Sequence, residues 1–399
     1  MKSNMRKEYK LPELFDMHMG KTPDRNNSEY WENGTNPWIS IADMTSNGKL
    51  ITHTKEYITD RAIRETGIKP INYNTVIMSF KLSVGKVSKV ATKDCPAYSN
   101  EAIMAFEIPS VPLGSPMILN DYAYYLLQSI DFTNTGNKAV MGKTLNKAIL
   151  QNTAVKIHVD LDVQSEIITV LDKITDLIDR RKEQLEKLDE LVKARFVELF
   201  GNVIRNDKGW EQYTFSDIAT SRLGKMLDAK QQTGKYAYPY LANLNVQWFR
   251  FEIENLNKMD FNEVDRQEFE LRDGDLLVCE GGEIGRCAVW HNEIQPCYFQ
   301  KALHRVRCNQ HIVLPDYMAW WFKYNCDHKG FAAIEGAKAT IAHLPGVKLK
   351  ALKVTVPPIE LQNQFVVFLK QTDKSKLEVQ KSLEKLELLK KALMQKYFG

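Results

Sequence analysis

Two stretches of the chain carry apolar side chains at alternating spacings of three and four. In the first, positions 167, 171, 174, 178, 181, 185, 188, 192, 195 and 199 hold eight apolar residues of ten: Ile167, Leu171, Ile174, Ile178, Leu185, Leu188, Val192 and Leu199, interrupted by Arg181 and Arg195. The same positions moved on by 198 hold seven: Phe365, Leu369, Val379, Leu383, Leu386, Leu393 and Tyr397, with Thr372, Lys376 and Lys390 between them. A 3-4 spacing sustained this long predicts two long helices with a coiled-coil seam. At 1.5 Å per residue each would run roughly 60 Å. Pro357-Pro358 stands directly before the second, where proline suits a helix entry.

Outside the helices the pattern changes. Asn74–Phe80 and Gly274–Glu280 are short apolar runs after turn residues and predict strands. Tyr122–Leu127 follows Asn120-Asp121, and Tyr317–Phe322 follows Pro315-Asp316; both predict capped, buried helices whose aromatics serve the core. These runs are copies of one another. Ser83-Val84-Gly85-Lys86 corresponds to Glu283-Ile284-Gly285-Arg286, and Tyr98-Ser99-Asn100-Glu101 to Tyr298-Phe299-Gln300-Lys301, both at an offset of 200. Gly20-Lys21 corresponds to Gly224-Lys225 at 204, and Leu185-Glu186-Lys187-Leu188 to Leu383-Glu384-Lys385-Leu386 at 198. The drifting offset marks loop insertions within a repeated unit. The chain therefore divides as lobe 1–160, helix 161–201, lobe 202–359 and helix 360–399.

Charge bears on how the helices pair. Residues 161–200 are net −3 and residues 360–399 net +3, an electrostatic match. Both seams lie in one chain at high effective concentration, which favours pairing with each other over packing of each helix on its own lobe. The expected fold class is α+β: two mixed α/β lobes, each followed by a long helix, the helices pairing as an antiparallel coiled coil with pseudo-two-fold symmetry. The whole chain is only +4, which excludes a highly basic coat but leaves room for local cationic patches. No apolar run approaches the length of a membrane span, and Met1–Lys7 leads into polar sequence, so a cytoplasmic protein is expected.

Candidate chemistry is sparse. Cys95, Cys279, Cys287, Cys297, Cys308 and Cys326, with His291 and His304, make no zinc-type spacing, and reduced, mostly buried thiols are expected. Gly136–Thr144 resembles a phosphate loop but has five residues between its glycines where that loop has four. Its repeat partner Gly336–Thr340 has lost the Gly-Lys-Thr ending. Asn36-Pro37-Trp38-Ile39 is faintly similar to the Asn-Pro-Pro-aromatic loop of amino-methyltransferases, without the second proline. No metal site and no active site follow from these residues. What remains is polar, basic loops at matching places. The first lobe offers Lys21, Arg25, Lys49, Lys81, Lys86 and Asn100; the second offers Arg222, Lys225, Lys230, Arg250, Arg286, Gln300 and Lys301. Lys and Arg hold phosphates, while Asn, Gln and Arg read base edges. The lobes alone are net +3 (1–160) and +1 (201–359), so charge does not decide between DNA contact and ordinary solvated surface.

With the repeat in hand, the chain resembles the DNA-specificity subunits of type I restriction-modification enzymes. The resemblance spans essentially all of it. It rests on the lobe openings Tyr9–Leu14 and Tyr213–Ile218, each leading to a Gly-Lys pair, on the segments around Gly85 and Gly285, and on the lobe-to-helix junctions Val159–Gln164 and Val356–Gln362. It implies a subunit without chemistry of its own. Each lobe would be a target-recognition domain reading one half of a split, asymmetric site in double-stranded DNA, with the helices fixing the gap. Two modification (methyltransferase) subunits and restriction (translocase/nuclease) subunits would be the partners, carrying S-adenosylmethionine, ATP and Mg, with no cofactor on this chain and no membrane. A coiled-coil scaffold whose lobes bind proteins, and an enzyme built on the Cys and His residues of the second lobe, remain as alternatives.

Overall fold

The computed structural model describes residues 5–81, 83–92, 96–109, 117–132, 147–228, 232–331 and 343–399. Cys95, Lys230, the Gly136–Thr144 segment and Gly336–Thr340 lie outside them. The chain forms two compact units, one made of residues 1–182 and 381–399, the other of residues 183–380. Each unit is thus one lobe plus half of each long helix.

In the first unit, strand Arg6–Lys10 pairs antiparallel with Ala154–His158, so the lobe's two ends close on each other just before the helix. A five-stranded sheet is ordered Asp16–Met19, Ile103–Glu107, Val76–Ser79, Val87–Val90, Leu50–Ile51. A second sheet places Asn36–Ile39 between Glu56–Ile58 and the parallel strand Tyr98–Ser99. Helix Asn120–Ser129 buries Tyr122, Tyr125, Leu126 and Leu127 against the larger sheet and the long helix.

The second unit repeats this element by element. Glu211–Thr214 pairs with Lys353–Val356, and the order Ala219–Leu223, Leu303–Cys308, Leu276–Cys279, Cys287–Val289 forms the larger sheet. Ala237–Leu241 lies between Lys258–Asp260 and the parallel Tyr298–Phe299. Helix Pro315–Asp327 takes the place of Asn120–Ser129. The aromatic runs are core: Tyr122, Tyr125, Tyr317, Trp321 and Phe322 are all buried. The units differ in the insertion between two corresponding strands of the smaller sheet. Between corresponding strands the first carries helix Ile41–Asn47 and strand Leu50–Ile51, and the second a hairpin of Val246–Gln247 and Arg250–Phe251.

The repeated Gly-Lys has a steric cause. A Cβ on Gly20 would stand 1.9 Å from the Ser99 carbonyl oxygen, and one on Gly224 2.3 Å from that of Gln300. Only glycine lets the two backbones cross there. Gly224→Ala is therefore expected to destabilise the second unit by about 2 kcal/mol or more, through a clash with backbone that cannot yield. Urea unfolding checks this; an unchanged midpoint would remove the explanation for the repeat.

The long helices are Leu161–Phe200 and Ile359–Phe398. Within each unit they run antiparallel. In the second, Phe196 and Phe200 meet Phe365 at ring distances of 5.5 and 5.4 Å, and Asp189 pairs with Lys376 at 2.6 Å. In the first, Ile167 and Leu171 share a core with Leu393, Met394, Tyr397 and Phe398, and Lys182 faces Glu387 at 3.6 Å. Ile167, Leu171, Ile174, Ile178, Val192, Phe365, Leu369, Val379 and Leu383 are buried; Leu185, Leu188, Leu199, Leu386, Leu393 and Tyr397 are half-buried.

The start of each long helix is locked by a glutamine. Gln164 accepts from the Leu119 amide at 2.9 Å and donates to the carbonyls of Met117 (3.1 Å) and His158 (2.7 Å). Gln362 accepts from the Leu314 amide at 2.9 Å and donates to Ile312 (3.0 Å) and Pro357 (2.8 Å). Leu119 and Leu314 are the N-cap residues of the two aromatic helices, and neither makes a side-chain cap. The side-chain cap expected from Asn120-Asp121 and Pro315-Asp316 is absent; instead the long helix satisfies the backbone amide of the N-cap leucine itself. The first long helix lacks the entry prolines and begins instead with the Asp160 carboxylate accepting from the Asp162 amide at 2.9 Å.

Candidate nucleic-acid interface

In both units the Gly-Lys pair meets the repeated turn. The Lys21 amide donates to the Ser99 carbonyl at 2.8 Å, and the Lys225 amide to that of Phe299 at 3.1 Å. Asn100 turns the chain by accepting from the Ala102 amide at 3.0 Å. Gln300 stands at the same place, its backbone carbonyl accepting from Ala302 and Leu303, and the exposed Lys301 donates its amide to the Lys225 carbonyl at 2.9 Å. The local fold of the site follows from the parallel strand pair Trp38–Ile39 with Tyr98–Ser99, and Tyr240–Leu241 with Tyr298–Phe299.

Around this junction in the first unit lie Lys21, Thr22, Arg25, Lys81, Asn100 and Glu101. Lys21 is exposed, its ammonium donating to the Thr66 carbonyl at 2.6 Å, at the end of helix Asp60–Thr66. Cations suit a helix C-terminus. The Thr22 hydroxyl donates to the Glu101 carboxylate and holds its pKa below the usual range, helped by Lys81 and Arg25. The Arg25 guanidinium lies 3.9 Å over the Trp31 ring and 4.7 Å from that of Trp38, and pairs with both Glu56 oxygens. Lys81, half-buried, sits 5.5 Å from the Phe80 ring. Trp31 was not among the sequence candidates and Trp38 entered only within Asn36-Pro37-Trp38-Ile39, because no sequence period relates either ring to Arg25. Their edge-to-face contact at 5.2 Å makes the shelf that holds Arg25.

The remaining cations are tied more tightly to the lobes. Lys86 donates to the Thr45 hydroxyl. The Lys49 ammonium is 2.5 Å from Asp172 on the long helix and 3.6 Å from Asp121. In the second unit Lys225 is held by Asp265 at 2.5 Å and the Asp260 carbonyl at 2.7 Å, and is only 18% exposed. Arg286, 17% exposed, donates to the carbonyl and side chain of Asn243 at 3.1 and 3.0 Å. Arg222 pairs with Glu268 beside Phe269, and Arg250 with Glu252 at 3.2 Å, both on outward-facing side chains. Among the described candidates the outermost side chains are thus Lys21 and Arg25 in the first unit and Arg222, Arg250 and Lys301 in the second. Guanidinium, ammonium and carboxamide groups on a rigid turn are suited to phosphates and base edges.

The five described cysteines do not form a reactive centre. Cys279, Cys287 and Cys297 are buried. Burial pushes the Cys279 thiol up to about 11 and the Cys297 and Cys308 thiols to about 12. A thiolate nucleophile needs the opposite shift. His304 is buried, its pKa lowered by that burial, and its ring bonds the Leu344 carbonyl at 3.0 Å. Among the described residues no His, Cys, Asp and Glu cluster could hold a metal, and no helix is long and apolar enough to cross a membrane.

Residues 5–190 and 207–388 each match the type I restriction modification DNA specificity domain. The chain belongs to that family. The Escherichia coli EcoR124I/EcoR124II specificity subunit is 30% identical over 190 residues, 47% of this chain and 45% of that protein. The Methanocaldococcus jannaschii MjaIX specificity subunit is 25% identical over 228 residues, 52% of this chain and 50% of that one. The chain thus matches about half the length of these curated relatives. The crystal structure of a type I system S subunit from M. genitalium is similar over 100% of this chain and 97% of that one, at 14% identity and TM-score 0.53. A chain from a structural study of type I complex assembly and conformational transition covers 98% and 97%, at 14% identity and TM-score 0.59. These two share the fold. The chain carries two copies of this DNA specificity domain.

Proposed function

We propose that this specificity subunit reads a bipartite, asymmetric target in double-stranded DNA, one half per lobe, and directs methylation and restriction by its partners. The observation that carries this is one scaffold used twice with different surfaces. The Gly-Lys crossover, the turn and the glutamine lock repeat, while Lys21-Thr22-Pro23 stands against Lys225-Met226-Leu227, and a helix against a hairpin. A two-fold protein would demand a palindrome; two unlike lobes demand two unlike half-sites. The long helices would set the gap between them. Two modification subunits would bring S-adenosylmethionine, and restriction subunits ATP and Mg, to a cytoplasmic complex.

Two measurements test this. Sequencing methylated bases in the host with and without the gene should show one split, asymmetric motif that disappears on deletion. Binding of the full chain to duplex DNA should weaken with salt, log affinity falling linearly with log salt as counterions are released. A methylation pattern that survives deletion would defeat the proposal. Salt-independent binding would favour the protein-binding scaffold instead.

A further inference from the structure

The inserted segment of each unit lies against the strand that follows the positive-φ glycine of the larger sheet. Leu50 pairs with Lys89 in the first unit, and in the second the Phe249 amide donates to the Cys287 carbonyl at 3.0 Å. Each insertion is also fastened to the aromatic helix, but by opposite chemistry. In the first unit the Lys49 ammonium lies 5.2 Å from the ring centres of Tyr124 and Tyr125, within an ionic cluster. Asp121 there faces Lys49 at 3.6 Å and Lys89 at 2.7 Å, and Asp172 takes Lys49 at 2.5 Å.

In the second unit the corresponding strand residue is Val289, the helix residue is Asp316, and Trp320 stands where Tyr125 did. No lysine enters from the insertion. Phe249 does, its ring stacked on Trp320 at 4.5 Å and 15°.

Phe249 occupies a place that does not suit it. Its φ is 61°, the left-handed region, where a bulky side chain is an outlier and glycine or asparagine would be at ease. The turn alone therefore gives no reason for phenylalanine. An outlier of this kind persists only where surrounding contacts hold it, and such positions cluster at functional sites. Here the contact is the Trp320 ring, itself packed 5.9 Å from Phe365 of the long helix. The next residue, Arg250, points outward with its side chain 66% exposed.

We propose that Phe249 is a positioning residue for DNA reading by the second unit: its stack on Trp320 fixes the hairpin and thereby the direction in which Arg250 leaves it. The inference rests on the proposed reading of DNA by the lobes. Lys49, held by Asp172, has the same task in the first unit, which makes it a brace of that lobe's insertion.

The test uses the full chain and a pool of duplex DNA of random sequence, with bound duplexes recovered and sequenced. The wild type should enrich two separate base-specific blocks. Phe249→Gly should lower enrichment of the preferred bases in one block by about tenfold and leave the other intact. Arg250→Ala should degrade that same block, and Asp172→Asn the other. Because glycine relieves the left-handed backbone, the thermal midpoint of Phe249→Gly should stay within a few degrees of wild type. Hydrogen exchange at Glu252, whose amide bonds the Asn245 carbonyl at 2.8 Å, should speed up. A Phe249→Gly profile identical to that of a selective wild type overturns the positioning role alone. So does loss in both blocks together, or loss in a different block from Arg250→Ala. A wild type that enriches no sequence overturns the DNA reading itself, and this inference with it.

Discussion

A chain that stops at residue 359 is expected to lose cooperative unfolding in both units. The second long helix is part of two cores. In the second unit it contributes Phe365 and Leu369, both buried, with Phe365 touching Phe196, Phe200 and Trp320 at 5.4 to 5.9 Å. In the first it contributes Leu393, Met394, Tyr397 and Phe398, the last 5.1 Å from the buried Tyr122 ring. Fully burying a side chain of this size is worth roughly 1.5–3 kcal/mol and half-burying it less, so the several lost per unit are a large share of the roughly 5–15 kcal/mol of an ordinary domain. The same cut removes Gln362 and its three hydrogen bonds. Circular dichroism melts and hydrogen exchange of the truncated chain check this. A sharp transition within a few degrees of the full chain would show that the helix is dispensable to both cores.

Gln362→Leu should cost roughly 3 kcal/mol or more, although leucine is apolar and similar in size. The side chain is fully buried, and its loss leaves the Leu314 amide and the carbonyls of Ile312 and Pro357 without their partner in a place water does not reach. Gln164→Leu should cost about as much in the first unit, since its three partners are the repeat equivalents at 2.7 to 3.1 Å. Urea unfolding followed by hydrogen exchange in each unit separates the two effects. Each variant should weaken its own unit, and the double variant should show both losses added, because the two glutamines share no partner. Near-wild-type midpoints for both would mean that the locks contribute nothing net.

The long helices and the repeat were legible from one sequence because both are periodic. A 3-4 spacing reports directly on a buried helical face, and a duplicated lobe repeats its turn glycines wherever the backbone must cross closely, as at Gly20 and Gly224. The seam was legible only up to a drift. Arg195 and Leu199 continue the heptad, yet Phe196 and Phe200 are the fully buried residues at that end. An α-helix turns every 3.6 residues, so a strict 3.5 repeat walks off its face, and the aromatic cluster of the lobe captures the residues that walk onto it.

The site was less legible for a different reason. Sequence shows that a lysine is present but not which carboxylate meets it. Lys49 finds Asp172 from 123 positions away, and Lys225 finds Asp265 from 40. Arg25 rests on two tryptophans that no spacing relates to it. By itself the sequence determined the class of elements, their duplication and the absence of a catalytic motif, since each is written in local composition and period. Only the tertiary structure decided which cations face outward, which glutamine locks which helix cap, and that the two insertions are fastened by an ionic cluster in one unit and an aromatic stack in the other. Those are contacts between distant residues, and their energies depend on a burial and a geometry that exist only once the chain has folded.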